Sequence, residues 1–139
     1  NPPDNSMLKQ KGFRELLFLG DAMEFPSNGF TTTERRLTEH RDQVKRLLRA
    51  FYRGLVFSRD NPEESIKIVE REWKLDPATA RDSYHSIMKA ASRDGASSEA
   101  GLKVHIKLIQ SSDKSIGDIA LSKIVDFRVL EEVRREMAR

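Results

Sequence analysis

Residues 42–64 read DQVKRLLRAFYRGLVFSRDNPEE. In this stretch Val44, Leu47, Leu48, Phe51 and Leu55 recur at spacings of three and four, which places them on one face of an α-helix. Arg41, Lys45, Arg49 and Arg53 recur every four residues and fall on the opposite face. Asn61-Pro62, followed by Glu64, then has the form of a helix start. An Asn at the cap accepts from a first-turn N–H, Pro tolerates the first turn, and a Glu three positions on reaches back as a capping box. The spacing therefore predicts two consecutive helices, the second running to about Lys74.

The same signals extend in both directions. Asp76-Pro77 opens a further helix whose Ala80, Tyr84, Ile87, Met88 and Ala91 share a face and which ends before Asp94-Gly95. Ser97 or Ser98 caps another, to about Gln110. After a polar loop through Gly117, residues 119–125 read as short and irregular, and Phe127, Leu130, Val133 and Met137 mark a terminal helix. Upstream, Thr33 caps a short helix over Glu34 to Glu39. Asp21 to Thr33 contains Pro26, Ser27, Asn28 and Gly29 and reads as a crossover segment. Pro2-Pro3-Asp4 starts a short helix to about Lys11, stopped by Gly12, and Phe13 to Leu19 (FRELLFL) is expected to be a strand. The Asx-Pro starts at Asn61 and Asp76 lie too close together for a helical-hairpin repeat, so a solenoid is rejected.

At 139 residues, with 37% hydrophobic and 34% charged, the chain is long enough for a packed core and too nearly charge-balanced for a disordered polyelectrolyte. No apolar run reaches the roughly 18–20 residues of a membrane span; Leu16 to Leu19 stops at Gly20-Asp21. The absence of cysteine removes a disulfide scaffold, a thiolate metal site and a cysteine nucleophile without fixing the compartment. The chain begins at Asn1 with no leader-like segment behind it, which reads as a processed chain or a piece of a longer one.

Chemistry-bearing patterns are few. His40, His85 and His105 are far apart, fit no two-ligand spacing on one helix face, and are each read as solvated. No nucleophile elbow, Walker loop, dinucleotide turn or EF-hand occurs, and the carboxylates Asp113 and Asp118 lack calcium-loop spacing. No catalytic residue, metal or cofactor is therefore expected. The Arg41 to Arg53 row could track phosphates, and residues 34–60 hold eight basic residues against four acidic. Residues 61–76 hold three basic against five acidic, so the next helix is expected to neutralise the row; a salt-bridged face is favoured over nucleic acid or an acidic partner. Trp73 and Tyr84 are assigned to core packing. Phe25-Pro26-Ser27-Asn28-Gly29 reads as a turn, with the alternative of a ligand-closing crossover.

The order of Asn1-Pro2-Pro3, Gly12-Phe13-Arg14-Glu15-Leu16, Leu19-Gly20-Asp21, Phe25-Pro26-Ser27-Asn28-Gly29 and Thr31-Thr32-Thr33-Glu34 resembles the periplasmic substrate-binding proteins of nitrate/sulfonate/taurine-type ABC transporters. These are similar to a thiamine-precursor family with the same type II periplasmic-binding fold. The likeness continues through Val44 to Leu55, Asn61-Pro62-Glu63, Asp94-Gly95, Gly101-Leu102 and Val125-Asp126-Phe127 with Leu130. It rests on the order of many weak segments rather than one diagnostic motif.

The resemblance implies an α/β fold, mostly helical, present as a C-terminal part with one or two short strands. Residues 1–29 would be the remnant of one lobe and the hinge, and residues 30–139 the helical part of the other. It implies a non-enzymatic, periplasmic solute-binding component that closes about Ser27-Asn28-Gly29 on a small organic molecule or oxyanion and presents it to an ABC permease. Pro3, Asp4, Asn5, Asp21 and Asn28 would lie nearest the ligand. Surface left by absent partner polypeptide would favour a homo-oligomer through Phe13 to Leu19. The rival is a helical nucleic-acid or protein-interaction module using the Arg41 to Arg53 face; the thiamine-precursor enzyme branch follows, lacking a catalytic signature.

Overall fold

The computed structural model describes residues 1–26 and 28–138. Helix accounts for nearly all regular structure: α1 (Asp4–Gln10), α2 (Leu19–Ala22), α3 (Glu34–Glu39), α4 (Arg41–Asp60), α5 (Pro62–Trp73), α6 (Pro77–Ala90), α7 (Glu99–Ser112) and α8 (Arg128–Met137), with a 3₁₀ turn at Leu121–Lys123. The mostly helical class expected from the sequence holds. Two compact units form, residues 1–18 with 53–92 and residues 19–52 with 93–139, so α4 contributes to both.

In the first unit α6 packs on α5 and α1. Ile66, Ala80 and Tyr84 form the buried centre, with Val69, Leu75 and Met88 partly buried against it. Polar contacts fix the helices around this small core. The Tyr84 hydroxyl donates to the Ser58 carbonyl at 2.6 Å, and Arg81 grips both carboxylate oxygens of Glu63 at 2.8 and 2.7 Å. Asp76 caps α6 by accepting from the N–H groups of Ala78 and Thr79, and Gln10 Nε2 donates to the same carboxylate at 3.1 Å, tying the end of α1 to the start of α6. These bonds, the Thr79 hydroxyl foremost, hold the Asp76 carboxyl at about 2.

α5 ends through Lys74, at φ 54° and ψ 45°, whose left-handed turn lets the Leu75 N–H reach the Glu70 carbonyl. This is the C-terminal geometry that glycine adopts without strain. The turn sends Leu75 back onto the core.

In the second unit Val129, Leu130 and Val133 of α8 are buried. Gly95, at φ +83°, sits where a Cβ would meet Leu130 and Phe51. Gly101 in α7 lies close to Glu24, whose carbonyl oxygen would be 3.2 Å from an added Cβ, so the chain at Glu24 runs tight against α7. Phe25 stacks on His105 at 4.7 Å between ring centroids, and Phe30 meets Phe51 edge-on at 4.9 Å.

Several local expectations change. Among the described residues no strand forms: residues 13–18 are irregular and Leu19–Ala22 turns into helix. A strand needs a ladder partner, and none of the N–H groups of Arg14 to Phe18 donates to a backbone carbonyl. Phe13, Leu16 and Leu19 are correspondingly 63%, 84% and 66% exposed. The Asn61 capping box is also unmade, because Asn61 Nδ2 turns back to the Phe57 carbonyl and Glu64 pairs with Lys67. Trp73 is 43% exposed rather than core, and His105 is half-buried against Phe25 rather than solvated.

Ile66→Ala should destabilise the chain by about 2–5 kcal/mol, since it empties the centre of a three-residue core, whereas Lys74→Gly should stabilise it by roughly 0.5–1 kcal/mol by relieving the left-handed strain. Urea unfolding followed by helical circular dichroism measures both; an unchanged midpoint for Ile66→Ala would rule out the packing described.

Candidate functional site

The five positions implied by the resemblance fall in two groups. Pro3, Asp4 and Asn5 stand at the start of α1, in the first unit, with Pro3 at the N-cap and no side-chain cap. One of the amides that would face an anion is already used, since the Asn5 N–H donates to the Asn1 carbonyl at 3.3 Å. The Asn5 side-chain oxygen Oδ1 is buried without a hydrogen-bond partner, which presents an acceptor rather than a donor. Asp21, in α2, and Asn28 belong to the second unit. Ser27, the first residue of the expected hinge triplet, lies outside the described residues.

The basic row on α4 is organised by α8, in the second unit. Arg41 pairs with Glu132 at 2.8 Å, Lys45 with Glu132 at 2.8 Å and Glu136 at 2.5 Å, and Arg49 with Glu136 at 2.6 Å. Three cations four residues apart on one helix thus interleave with two carboxylates four apart on another. This replaces the expectation that the acids of residues 61–76 neutralise the row: Glu63 and Glu64 instead pair with Arg81 and Lys67. The signal for the true partners is the matching period of Glu132 and Glu136, which becomes meaningful only once α8 is known to face α4.

Electrostatics follow from that geometry. Hydrogen bonds from Lys45, then Arg41, hold the Glu132 carboxyl at about 2. Glu136 is lowered by Lys45 and Arg49, and Lys45 is raised by Glu132 and Glu136. Arg134 adds a contact to Asp94 at 2.9 Å and lies over the Tyr52 ring at 6.0 Å.

Two shallow depressions flank the α3–α4 junction of the same unit. One, of about 400 Å³, mixes signs, being lined by Glu39 and Asp42 as well as Arg41 and Arg46. The other, of about 360 Å³, is lined by Thr31, Thr32, Thr33, Arg35, Arg36 and His40 and contains no carboxylate. Among the described residues no group of three or more His, Cys, Asp or Glu side chains could hold a metal. No helix among them is long and apolar enough to cross a membrane.

The family model described as "NMT1/THI5 like" matches residues 7–65. That stretch takes in FRELLFL, the Phe25–Gly29 turn, the α4 stripe and Asn61-Pro62, and over it the chain is similar to the nitrate, sulfonate and thiamine-precursor binding proteins. No curated protein and no solved structure matches the chain.

Because both carboxyls of the ladder are lowered in the folded chain, their contribution is complete above the ordinary glutamate value of 4.5 and is lost as pH falls from there toward about 2. Lys45, being raised, stays charged throughout that window. The amide resonances of α8 are expected to shift between pH 5 and 2, and Glu132→Gln to flatten that titration; an α8 insensitive to acid would contradict the pairing.

Proposed function

We propose that the chain is part of a solute-binding component of an importer, which captures a small organic molecule or oxyanion between two lobes and delivers it to a membrane permease. The observation carrying this reading is the family match over residues 7–65, which coincides with the segments whose order resembles such proteins. In this reading residues 1–29 belong to one lobe and the hinge, residues 30–139 to the other, and the protein works outside the cytoplasmic membrane, in the periplasm, without catalysis.

Local structure supports a binding role more than a reaction. Residues 23–26 and 28–33 lie outside the helices, with Phe25 against His105 and Phe30 against Phe51. Dihedral change at such a segment disturbs few backbone hydrogen bonds, the property a hinge needs. Asp21 and Asn28 flank its start and middle, suited to solute contacts, with Pro3, Asp4 and Asn5 as the second set. The rival reading, a nucleic-acid or protein-interaction module on the Arg41 to Arg53 face, is disfavoured by the carboxylates that occupy Arg41, Lys45 and Arg49.

Apolar surface supports association as well. Phe13, Leu16, Leu17 and Leu19 are all at least 60% exposed within seven residues, a density that favours cover by other polypeptide. A second copy is the proposed cover when the chain is isolated.

The full reading frame, screened against nitrate, taurine, alkanesulfonates and a thiamine-precursor pyrimidine, is expected to show a saturable rise in Tm of several degrees with one class, and Asp21→Ala or Asn28→Ala to weaken that binding at least tenfold. No response to any solute, or equal affinity in both variants, would remove the reading. For the isolated 139-residue chain, sedimentation velocity should show concentration-dependent association that Leu16→Asp with Leu17→Asp abolishes; a monomer at high micromolar concentration would refute self-association.

A further inference from the structure

The chain has four asparagines, and they differ in what their neighbours allow. An asparagine side chain is lost spontaneously when the backbone nitrogen of the next residue attacks its Cγ. That nitrogen must carry a proton to lose and must be able to swing round. Asn1 and Asn61 precede Pro2 and Pro62, which have no N–H. Asn5 lies in α1, where helical dihedrals hold the following nitrogen away from the side chain, and Ser6 after it is buried. Asn28 precedes Gly29, and both are exposed and outside the helices. We propose that Asn28 is a self-modification site, which converts to aspartate and isoaspartate through a cyclic imide formed with the Gly29 nitrogen. The assignment concerns the chain's own chemistry and does not depend on the transport reading.

Local geometry favours the reaction at this position. Glycine presents no Cβ to obstruct the attack and gives the backbone its widest dihedral range. The Gly29 N–H donates to no backbone carbonyl among the described residues, so no such bond has to break first. Space is open as well, since nothing lies within 4 Å of where a Gly29 Cβ would stand. Asp94-Gly95 is the contrasting case, because aspartate can cyclise by the same route. There the carboxylate accepts from the Ala96 N–H at 3.0 Å and pairs with Arg134 at 2.9 Å, and Gly95 is held at φ +83° against Leu130. Those contacts lock the side chain and the backbone that the imide needs to move.

Hydroxide removes the Gly29 amide proton, and the nitrogen bonds to Asn28 Cγ while the Cγ–Nδ2 bond breaks. Ammonia leaves with a proton taken from water, which regenerates hydroxide. A second water then opens the five-membered ring. Addition at Cγ restores the original backbone with an aspartate side chain, whereas addition at the Asn28 backbone carbonyl leaves isoaspartate, whose chain runs through Cβ and Cγ. The sum is one water consumed and one ammonia released. Both products carry a negative charge in place of a neutral amide, and isoaspartate lengthens the backbone by one atom. That atom falls between the Phe25–His105 and Phe30–Phe51 contacts, so modification changes the reach of the segment they bracket.

The test incubates the folded 139-residue chain at 37 °C and follows its tryptic peptides by mass spectrometry, with an isoaspartate-specific methylation assay. The peptide of residues 15–35 is expected to gain one mass unit with first-order kinetics, several-fold faster at pH 8 than at pH 7, while Asn5 stays unmodified. Gly29→Ala, which the open space accommodates at an ordinary φ, should slow the conversion at least tenfold. The urea-unfolded chain is the control for structure. Conversion at Asn28 should run within tenfold of its unfolded rate, whereas isoaspartate at Asp94 should appear only after unfolding. Conversion at Asn28 no faster than at Asn5, or more than tenfold slower in the folded than in the unfolded chain, would overturn the proposal. So would an unchanged rate in Gly29→Ala, or isoaspartate forming at Asp94 of the folded chain as fast as at Asn28.

Discussion

Ile66, Ala80 and Tyr84 in one unit and Val129, Leu130 and Val133 in the other are the apolar side chains removed from water among the described residues. Each centre is so small that apolar burial alone gives the helices little reason to prefer one register over another. Directional polar contacts supply that preference. In the first unit the Gln10 bond to Asp76, the Arg81 fork on Glu63 and the Tyr84 hydroxyl each join two segments at a defined point. In the second the interleaved charges of α4 and α8 do the same. Exposed ion pairs contribute modestly one at a time, yet a ladder whose partners share a four-residue period disfavours slips by one, two or three residues together.

That dependence explains which helix starts could be read from sequence. Thr33, Asp76 and Ser98 cap their helices through bonds to amides two or three residues ahead, so the chemistry is entirely local and the residue type suffices. Asn61 has the same residue type and the same following proline, but it lies directly after the last turn of α4, and its amide finds the Phe57 carbonyl first. Local competition from the preceding helix, invisible to a forward-looking motif, decides the outcome.

Non-local features were legible only in part. The period-four cation row on α4 could be read directly; its partners could not, because Glu132 lies 91 residues beyond Arg41. Nearest in sequence was the acidic stretch of residues 61–76, and proximity in sequence proved the wrong guide. FRELLFL has strand composition, yet composition provides no neighbour, and without a ladder partner the segment stays irregular with its apolar side chains in water. Trp73 fails for a related reason: it closes α5 just before the chain turns at Lys74, so Leu75 rather than the indole returns to the core.

The same logic separates the two arginine populations of the second unit. Arg41 and Arg49 have the residue type and exposure of a phosphate-tracking row, but carboxylates already satisfy them, and an incoming anion would have to displace Glu132 or Glu136 from donors that hold the former's carboxyl near 2. Arg35 and Arg36 sit a few residues upstream on a six-residue helix, beside threonine hydroxyls and without an ion pair among the described residues. Charge density along the sequence is similar in the two places. What differs is the presence of a competing intramolecular acceptor, and that is fixed by which helix lies across from the cation. A regular basic row in the sequence is therefore no measure of which cations the fold leaves open to a partner.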